Sequence, residues 1–299
     1  MSRHVRVIVV AYNSAALIPE CLDSIAAQEG VEVDVVVVDN ASTDGSADVV
    51  RARGHGVRLI ETPENLGFGR ANNLALVGDA PFFGLVNPDA TLPPRALAAC
   101  LAVLDTRPSV GIVGLRHQDA AGNEQPSAFP FLTLAGLWRE SVGAHRILPM
   151  TLDPSRAGDV DWIQGSFMVI RGEVVRQVGG FDPAYFMYGE DMEWCWRIRA
   201  AGWAIAYLPD PVVRHIGGAS AGPSAPALFV EHLKSRVRFF RAHRGRLAAA
   251  GARMLIAGAV LARWALRELV PGDGGKRALF RAAARWVLAG QPLDDGARP

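Results

Sequence analysis

The first 115 residues contain a series of short apolar runs that are rich in β-branched side chains. These runs lie at 5–11, 33–38, 57–60, 82–86 and 110–113. Each run is too short for an ordinary helix, and strands that are apolar on both faces are typical of buried parallel sheets. Helical patterns follow several of the runs, as at 17–25. The repeat of strand and helix predicts an α/β fold with a mostly parallel sheet flanked by helices.

Polar residues directly follow three of these predicted strands. They are Tyr12-Asn13, Asp39-Asn40 and the turn Asn87-Pro88-Asp89. Because ligands bind beyond the carboxyl ends of strands in open α/β sheets, these positions are the first candidates for a functional site. The sequence has neither the G-x-G-x-x-G fingerprint of dinucleotide enzymes after the first strand nor a P-loop lysine motif. It therefore argues against a nicotinamide dehydrogenase and a P-loop NTPase.

The regular alternation stops after Gly114. Residues 116–159 are rich in glycine and proline and contain one helical pattern near 132–142. Long irregular segments in compact domains are typical of lids or binding loops. The predicted elements that follow are a strand at 162–170, helices at 172–178 and 190–201, and short strands at 204–208 and 212–214.

The last part of the chain differs in charge from the rest. Residues 231–290 contain thirteen Lys or Arg and three acidic residues, a net charge of +10, whereas residues 1–230 have a net charge of −8. Apolar side chains are interleaved with these arginines, which is typical of a helix in the interface of an anionic membrane. Two ordinary amphipathic helices packed on the domain would show the same pattern. A nucleic-acid partner is not expected, because aromatic residues are too sparse there for base stacking.

The composition is that of a folded chain. Half of the 299 residues are hydrophobic and 20% are charged, which excludes global disorder. The longest uninterrupted apolar stretch after Arg253 has nine residues, so no transmembrane span is expected. Polar residues stop the first apolar run at Asn13, and we expect no signal peptide and a cytoplasmic protein. Cys21, Cys100 and Cys195 lack the spacing of zinc or disulfide frameworks and are expected to be buried thiols.

Several motifs occur in a characteristic order. They are VVAYN at 9–13, VVDNASTDGS at 37–46, ENLGFGRANN at 64–73, LVNPD at 85–89, GGFD at 179–182, GEDMEWCWR at 189–197 and RH at 214–215. This order resembles family 2 glycosyltransferases of the GT-A fold, inverting enzymes that move a sugar from a nucleotide-sugar donor. The resemblance implies a GT-A domain at 1–230, with a nucleotide-binding half at 1–115 and an acceptor and catalytic half at 116–230. Residues 231–299 then form a basic amphipathic helical extension.

The resemblance places the nucleotide-sugar at the strand ends of the first half. The residues assigned to donor binding are Ala11, Tyr12, Asn13, Asp39, Asn40, Asn65, Gly67, Asn72, Asn87 and Asp89. The Asp39 carboxylate can accept a hydrogen bond from the imide N–H of uracil or thymine, and turn capping is its alternative role. Asn40 and Asn72 could contact the nucleotide or hydrogen-bond within the protein. The loop after Asn65 could offer N–H groups to ribose or phosphate, or be a plain turn.

The Asn-Pro-Asp turn stands where the family commonly carries Asp-x-Asp. A departing nucleoside diphosphate needs a hard cation to neutralise it, and the resemblance implies Mg²⁺ or Mn²⁺ bound by Asp89. Asn87 is neutral and departs from the two-carboxylate pattern. His215 is the second expected metal ligand, with a plain surface histidine as the alternative. The Asn-Pro-Asp variant looks like that of bacterial rhamnosyltransferases, which favours a dTDP- or UDP-sugar donor and rhamnose as the sugar.

Asp191 begins a predicted helix and, by the resemblance, is the general base that deprotonates the acceptor hydroxyl. Glu190 is implied beside it in catalysis and acceptor binding. The other residues assigned to acceptor binding are Trp162, Gly165 and Trp194. Trp194 could instead pack in the core.

The implied activity is glycosyl transfer to a glycan or lipid-linked glycan in cell-surface polysaccharide synthesis. The expected location is the inner face of the plasma membrane, with the basic helices on its anionic surface, and a homodimer is one state the chain could adopt. A nucleotidyltransferase is the first alternative, but residues 11–18 lack the basic side chains that hold a triphosphate. A non-catalytic nucleotide-sugar-binding relative is the second alternative, although Asp191 is present.

Overall fold

A ten-stranded mixed sheet is the main element of the fold. The computed structural model describes residues 3–143, 153–217, 225–269 and 274–290. The strands are β1 (His4–Ala11), β2 (Glu32–Asp39), β3 (Val57–Glu61), β4 (Phe82–Val86), β5 (Ala90–Thr91), β6 (Val110–Gln118), β7 (Glu124–Gln125), β8 (Ala128–Phe129), β9 (Gly158–Asp159), β10 (Trp162–Ile163), β11 (Phe167–Arg171) and β12 (Ala204–His215). The helices are α1 (Ile18–Ala26), α2 (Ser46–Arg51), α3 (Phe68–Asn73), α4 (Ala96–Thr106), α5 (Leu134–Ser141), α6 (Gly172–Val178), α7 (Glu190–Ala200), α8 (Ala225–His243), α9 (Arg246–Leu269) and α10 (Gly274–Leu288).

The strand order places the carboxyl ends of the first four strands at one edge of the sheet. The order is β3-β2-β1-β4-β11-β6-β12-β5, with β7 on β6 and β9 on β12, and β10 pairs with β8 separately. Strands β1 to β4 run parallel, and Ala11 lies opposite Asp39 in the register of β1 and β2. Strand β11 runs antiparallel between β4 and β6. The two polar turns after β1 and β2 are therefore neighbours.

Alternating side chains of the central strands fill a core on each face of the sheet. Val5, Val7 and Val9 of β1 pack with one set of apolar residues, and Ile8 packs with the other. Burial on both faces explains why these strands are continuous apolar runs rather than alternating ones. The predicted mostly parallel α/β architecture with a C-terminal helical region is confirmed.

Two predicted elements differ from the observed ones. The expected strand at 162–170 is two strands, β10 and β11, because residues 164–166 leave the ladder. The two short strands expected at 204–208 and 212–214 are one long strand, β12, with a register shift between Leu208 and Val213. The cis peptide bond before Pro211 lies in this shifted region.

The chain divides into two units, which are described separately. The first comprises Met1–Phe131, Thr151–Asp182 and Asp191–Ser220, and contains the sheet. The second comprises Leu132–Met150, Pro183–Glu190 and Ala221–Pro299. The domain boundary near residue 230 stays a prediction from the sequence.

Helices α5, α8, α9 and α10 share the core of the second unit, in which Leu137, Val237, Ile256 and Trp286 are buried. Among the described helices, α9 alone is long and apolar enough to cross a membrane, a criterion that core helices of soluble proteins also meet. Single arginines interrupt the apolar pattern of α9, so the helix contains no uninterrupted apolar stretch of spanning length.

The three cysteines are free and buried, as the sequence predicts. Burial raises the pKa of each thiol, so all three are poor nucleophiles.

Candidate active site

Asp39 ends β2, and one of its carboxylate oxygens has no hydrogen-bond donor in the described part of the chain. The side chain is only 4% exposed. Its Oδ2 accepts a hydrogen bond from the backbone N–H of Ser42 at 3.1 Å, whereas the buried Oδ1 has no partner among the described residues. Leaving a buried acceptor unpaired costs about 1–3 kcal/mol, and native structures keep few such atoms. The unpaired Oδ1 fits a ligand N–H donor at this strand end.

The turns after β1 and β2 are joined by side-chain hydrogen bonds. The Asn13 N–H donates to Ser42 Oγ at 3.0 Å, and Asn13 Oδ1 accepts from the Thr43 N–H at 2.9 Å. Asp44 Oδ2 accepts from the Ala15 N–H at 2.9 Å. Asn13 adopts a left-handed conformation with φ of 49°, which asparagine tolerates better than most residues. The Asn13 side chain thus holds the two turns together.

Two asparagines assigned to the nucleotide instead hydrogen-bond within the protein, Asn40 to the loop after β3 and Asn72 within α3. The buried Asn40 amide nitrogen donates to Asn65 Oδ1 at 2.9 Å and to the Gly67 carbonyl at 3.2 Å, and its oxygen accepts from the Leu66 N–H. Asn72 is also buried and donates to the carbonyl of Phe68 at 2.9 Å. For Asn40 and Asn72 the structure favours the internal role that the sequence left open, because their amides already have protein partners.

Asp89 and His215 are brought together by the pairing of β5 with β12. His215 lies opposite Ala90 in this ladder, and the Ile216 N–H donates to the Asp89 carbonyl at 3.1 Å. His215 Nε2 lies 3.3 Å from Asp89 Oδ1 and 3.4 Å from the Asn87 amide nitrogen. Asp89 Oδ2 accepts from the Gly217 N–H at 3.0 Å. The two predicted metal ligands therefore share one small volume.

The carboxylate form of Asp89 is favoured. Burial by itself would raise the pKa of this carboxyl, but the hydrogen bond and charge of His215 and the N–H of Gly217 hold the pKa below its ordinary value. Asp89 is therefore ionised at neutral pH and available to a cation.

Gln125 and His117 lie beside His215, and neither is among the residues that the sequence predicts for the site. Gln125 Oε1 lies 2.7 Å from His215 Nδ1, so the Nδ1–H donates to it and Nε2 is the ring nitrogen that faces Asp89. His117 lies opposite Gln125 in the register of β6 and β7, and its ring centre is 5.6 Å from that of His215. Both residues fall in the irregular 116–159 segment, where no sequence pattern marks them.

His117 is a neutral imidazole. Burial, followed by the proximity of His215, lowers the pKa of His117 to about 3. Its Nδ1 lies 3.3 Å from Ser166 Oγ, and its buried Nε2 has no hydrogen-bond partner in the described part of the chain. The neutral ring adds no positive charge that would repel a cation beside His215.

The donor set at Asp89 fits a divalent cation that also binds a ligand. An unprotonated Nε2 and Asp89 Oδ1 are both acceptors, so either a proton or a cation between them removes their repulsion. The described residues contain no group of three or more His, Cys, Asp or Glu side chains that could hold a metal. Mg²⁺ and Mn²⁺ commonly take one or two protein ligands and complete their shell with phosphate and water. The residues present match that pattern.

Backbone hydrogen bonds of residues 165–166 connect the Asp191 carboxylate to the end of β4. The Asn87 N–H donates to the Ser166 carbonyl at 2.9 Å, and the neighbouring Gly165 N–H donates to Asp191 Oδ2 at 3.0 Å. Asp191 Oδ1 accepts from the Met192 N–H at 2.8 Å. Burial raises the pKa of Asp191, although these N–H groups partly lower it. A carboxylate with a raised pKa is a stronger proton acceptor once it is ionised.

Gly165 permits this arrangement because it has no side chain. A Cβ at this position would lie 2.9 Å from Cε1 of Phe68 and 3.6 Å from the Cβ of Asp191. We expect Gly165→Ala to destabilise the protein by about 1–3 kcal/mol, because the Phe68 ring must move. Urea unfolding measures this change. Gly158→Ala is the control, since a Cβ there meets nothing within 4 Å. Equal stability of the two variants would contradict the predicted clash.

The remaining acceptor-site residues lie in different surroundings. Trp194 is 0% exposed, donates from Nε1 to the Gly179 carbonyl at 2.8 Å and packs on Phe181, so it belongs to the core rather than to acceptor binding. Trp162 is partly exposed and stacks on Phe129 at a ring distance of 4.5 Å. Glu190 is buried in the second unit.

The mostly parallel sheet with flanking helices has the architecture of GT-A glycosyltransferases. Residues 2–242 match the family model described as "Glycosyltransferase like family 2". The chain belongs to this family of glycosyltransferases.

Two curated relatives are rhamnosyltransferases. The chain is 32% identical over 254 residues to the N-acetylglucosaminyl-diphospho-decaprenol L-rhamnosyltransferase of Mycobacterium tuberculosis, covering 78% of this chain and 82% of that protein. It is 27% identical over 195 residues to the rhamnosyltransferase WbbL of Escherichia coli, covering 60% of this chain and 71% of the relative.

Solved structures share the fold. One is the mannosyltransferase PcManGT of Pyrobaculum calidifontis, solved with GDP-Man and Mn²⁺. It has a TM-score of 0.60 and 23% identity, and the match covers 98% of this chain and 89% of the PcManGT chain. Another is TarS 1–349 of S. aureus, solved with UDP-GlcNAc. It has a TM-score of 0.54 and 18% identity, and the match covers 99% of this chain and 89% of the TarS chain.

Proposed function

We propose that this protein is an inverting glycosyltransferase that transfers rhamnose from a dTDP- or UDP-sugar to a hydroxyl of a lipid-linked glycan. The proposal rests on the positions of three carboxylates. Asp39 ends β2, and Asp89 follows β4 and pairs with His215. Asp191 is linked to the end of β4 through the backbone at residues 165–166. The printed activities of the mycobacterial and E. coli relatives support rhamnose as the sugar. The name of the mycobacterial relative supports a sugar on a polyprenyl diphosphate as the acceptor.

The base of the donor binds at β1 and β2. Asp39 Oδ1 accepts the hydrogen bond of the pyrimidine imide N–H, which satisfies the buried oxygen. The backbone at Ala11 and Tyr12 forms the neighbouring wall, because Ala11 lies opposite Asp39. Guanine also has a ring N–H from which a carboxylate can accept a hydrogen bond, so the proposed preference for dTDP or UDP rests on the rhamnosyltransferase-like Asn-Pro-Asp turn.

Asp191 acts as the general base. It takes the proton of the acceptor hydroxyl while the hydroxyl oxygen forms a bond to the anomeric carbon and the bond from that carbon to the diphosphate oxygen breaks. Attack on the face opposite the diphosphate inverts the anomeric configuration. The hydrogen bonds from Gly165 and Met192 hold both carboxylate oxygens in place during this step.

Asp89 and His215 would hold Mg²⁺ or Mn²⁺ at the diphosphate. When bound, the cation neutralises charge on the departing nucleoside diphosphate. Asn87 keeps its amide nitrogen near His215 and contributes no charge, so Asp89 is the sole carboxylate of the Asn-Pro-Asp turn.

A lipid-linked acceptor places the enzyme at a membrane. We propose a peripheral location on the inner face of the plasma membrane, with the basic C-terminal helices on its anionic surface. The +10 charge of residues 231–290 supports this location. A homodimer stays a prediction from the sequence.

A donor screen by thermal unfolding tests the proposed nucleotide. We expect dTDP-rhamnose or UDP-sugars with Mg²⁺ to raise the Tm, because a ligand at 100 times its Kd adds about 2.7 kcal/mol to the free energy of unfolding. GDP-sugars should leave the Tm unchanged, and Asp39→Leu should remove the dTDP effect. A larger shift with GDP-sugars than with dTDP- and UDP-sugars would contradict the proposed base pocket.

A further inference from the structure

A groove of about 530 Å³ lies among the last three helices of the second unit. Its lining residues are Phe229 of α8, Arg263, Leu266 and Arg267 of α9, and Lys276, Leu279 and Phe280 of α10. Ligand pockets in proteins have volumes of about 300–1,000 Å³, so the groove is large enough for a lipid chain or a small ligand. None of the residues assigned to glycosyl transfer lines it.

The lining combines apolar walls with three cations. Phe229 and Phe280 pack edge to face with ring centres 5.6 Å apart, and the two leucines extend this apolar surface. No acidic side chain is among the described lining residues. Arg263 donates to the carbonyls of Glu140 and Ser141 at the end of α5, which fixes its position at the groove. An apolar cavity with cations fits an amphiphile with an anionic head better than a sugar or a nucleobase.

Exposed apolar side chains occur on α9 and α10, the helices that supply most of the lining residues. Leu266 is 61% exposed and Leu269 is 80% exposed in the last turn of α9, and Leu288 is exposed at the end of α10. Such side chains next to basic residues are typical of helices in a membrane interface. Both the positive charge and the exposed apolar side chains of these helices therefore suit the interface of an anionic membrane.

We propose that this groove binds an anionic phospholipid. An acyl chain lies along Phe229, Leu266, Leu279 and Phe280, and the cations Arg263, Arg267 and Lys276 bind the phosphate. This inference rests on the membrane location in the proposed function and adds a specific lipid site to it.

Vesicle flotation of the full chain tests the site. The probes are vesicles of phosphatidylcholine alone and vesicles of phosphatidylcholine with phosphatidylglycerol. Wild-type protein should bind the second kind at least tenfold more tightly. Arg267→Glu should weaken binding to these vesicles about tenfold more than Arg285→Glu, which makes the same charge change at an exposed α10 position outside the lining.

The apolar part of the site has its own matched pair. Leu266→Asn removes an exposed leucine from the groove, whereas Leu247→Asn removes a 91% exposed leucine at the start of the same helix. Both sites are exposed, so the fold should survive both changes. Leu266→Asn should weaken binding to the phosphatidylglycerol vesicles at least fivefold more than Leu247→Asn.

Three results would overturn the proposal. The first is equal loss of binding within each pair, which indicates a general basic surface without a lipid site. The second is absence of wild-type binding to the anionic vesicles. The third is binding to phosphatidylcholine vesicles only after a polyprenyl diphosphate is added, which assigns the groove to the acceptor lipid. Transfer to a water-soluble acceptor should stay unchanged in all four variants, so failure of the transferase proposal is seen separately.

Discussion

Asp191→Asn should lower the rate of sugar transfer by a factor of at least about 10³ while donor binding changes little. General bases contribute about 10²–10⁴-fold to enzymatic rates, and an amide cannot take the acceptor proton at neutral pH. The asparagine oxygen can still accept the Gly165 N–H hydrogen bond, whereas its NH₂ group cannot accept from the Met192 N–H. Transfer is measured by release of the nucleoside diphosphate in the presence of acceptor, and donor binding by calorimetry.

Asp105→Asn is the matched control for this variant. Asp105 is an exposed carboxylate on α4, in a different part of the first unit. Its substitution should leave transfer and donor binding at the wild-type level. Full transfer by Asp191→Asn would exclude Asp191 as the base. Loss of donor binding together with transfer would indicate that the substitution disturbs the donor pocket.

Asp89→Asn should weaken Mn²⁺ binding in the presence of dTDP by at least about a hundredfold. The substitution removes the carboxylate of the Asn-Pro-Asp turn, and the remaining His215 and Asn87 offer a hard cation no negative charge. Electron paramagnetic resonance of free Mn²⁺ measures binding without turnover. Transfer should fall in parallel and should not recover at high Mn²⁺. Asp79→Asn, at an exposed position, should retain wild-type affinity.

Gln125 provides a graded test of the same site. Gln125→Met removes the acceptor that holds the Nδ1–H of His215, and loss of such a partner typically lowers metal affinity 10–100-fold. Gln125→Glu keeps an acceptor oxygen and should restore most of the affinity. Gln118→Met, at the partly buried end of β6, is the control. Wild-type Mn²⁺ affinity in both Asp89→Asn and Gln125→Met would exclude this pair as the cation site.

The sequence predicts the first half of the fold well because its strands are buried on both faces. Continuous β-branched runs mark such strands, and the run at 82–86 coincides with β4. The sequence predicts a single strand at 162–170, because apolar composition does not show where a ladder breaks. Gln164, Gly165 and Ser166 leave the ladder, and the Gly165 N–H instead binds Asp191.

Polar residues at strand ends could be located from the sequence, but not the direction in which their side chains point. Asn40 and Asp39 are neighbours with the same expected location, yet the Asn40 amide binds the 65–67 loop and Asp39 keeps an unpaired oxygen. Likewise, no periodicity marks Gln125 or His117, because Gln125 lies on the two-residue strand β7 and His117 lies near the end of β6, beyond the apolar run at 110–113. The helix pattern around Trp194 could not distinguish a buried indole from one at the acceptor site.

The pairing of β5 with β12 has a consequence for biosynthesis of the enzyme. Asp89 and His215 are 126 positions apart, and backbone hydrogen bonds of this ladder align them. During translation, Asp89 therefore leaves the ribosome long before the strand that aligns it with His215, and the pair can form only after β12 is complete.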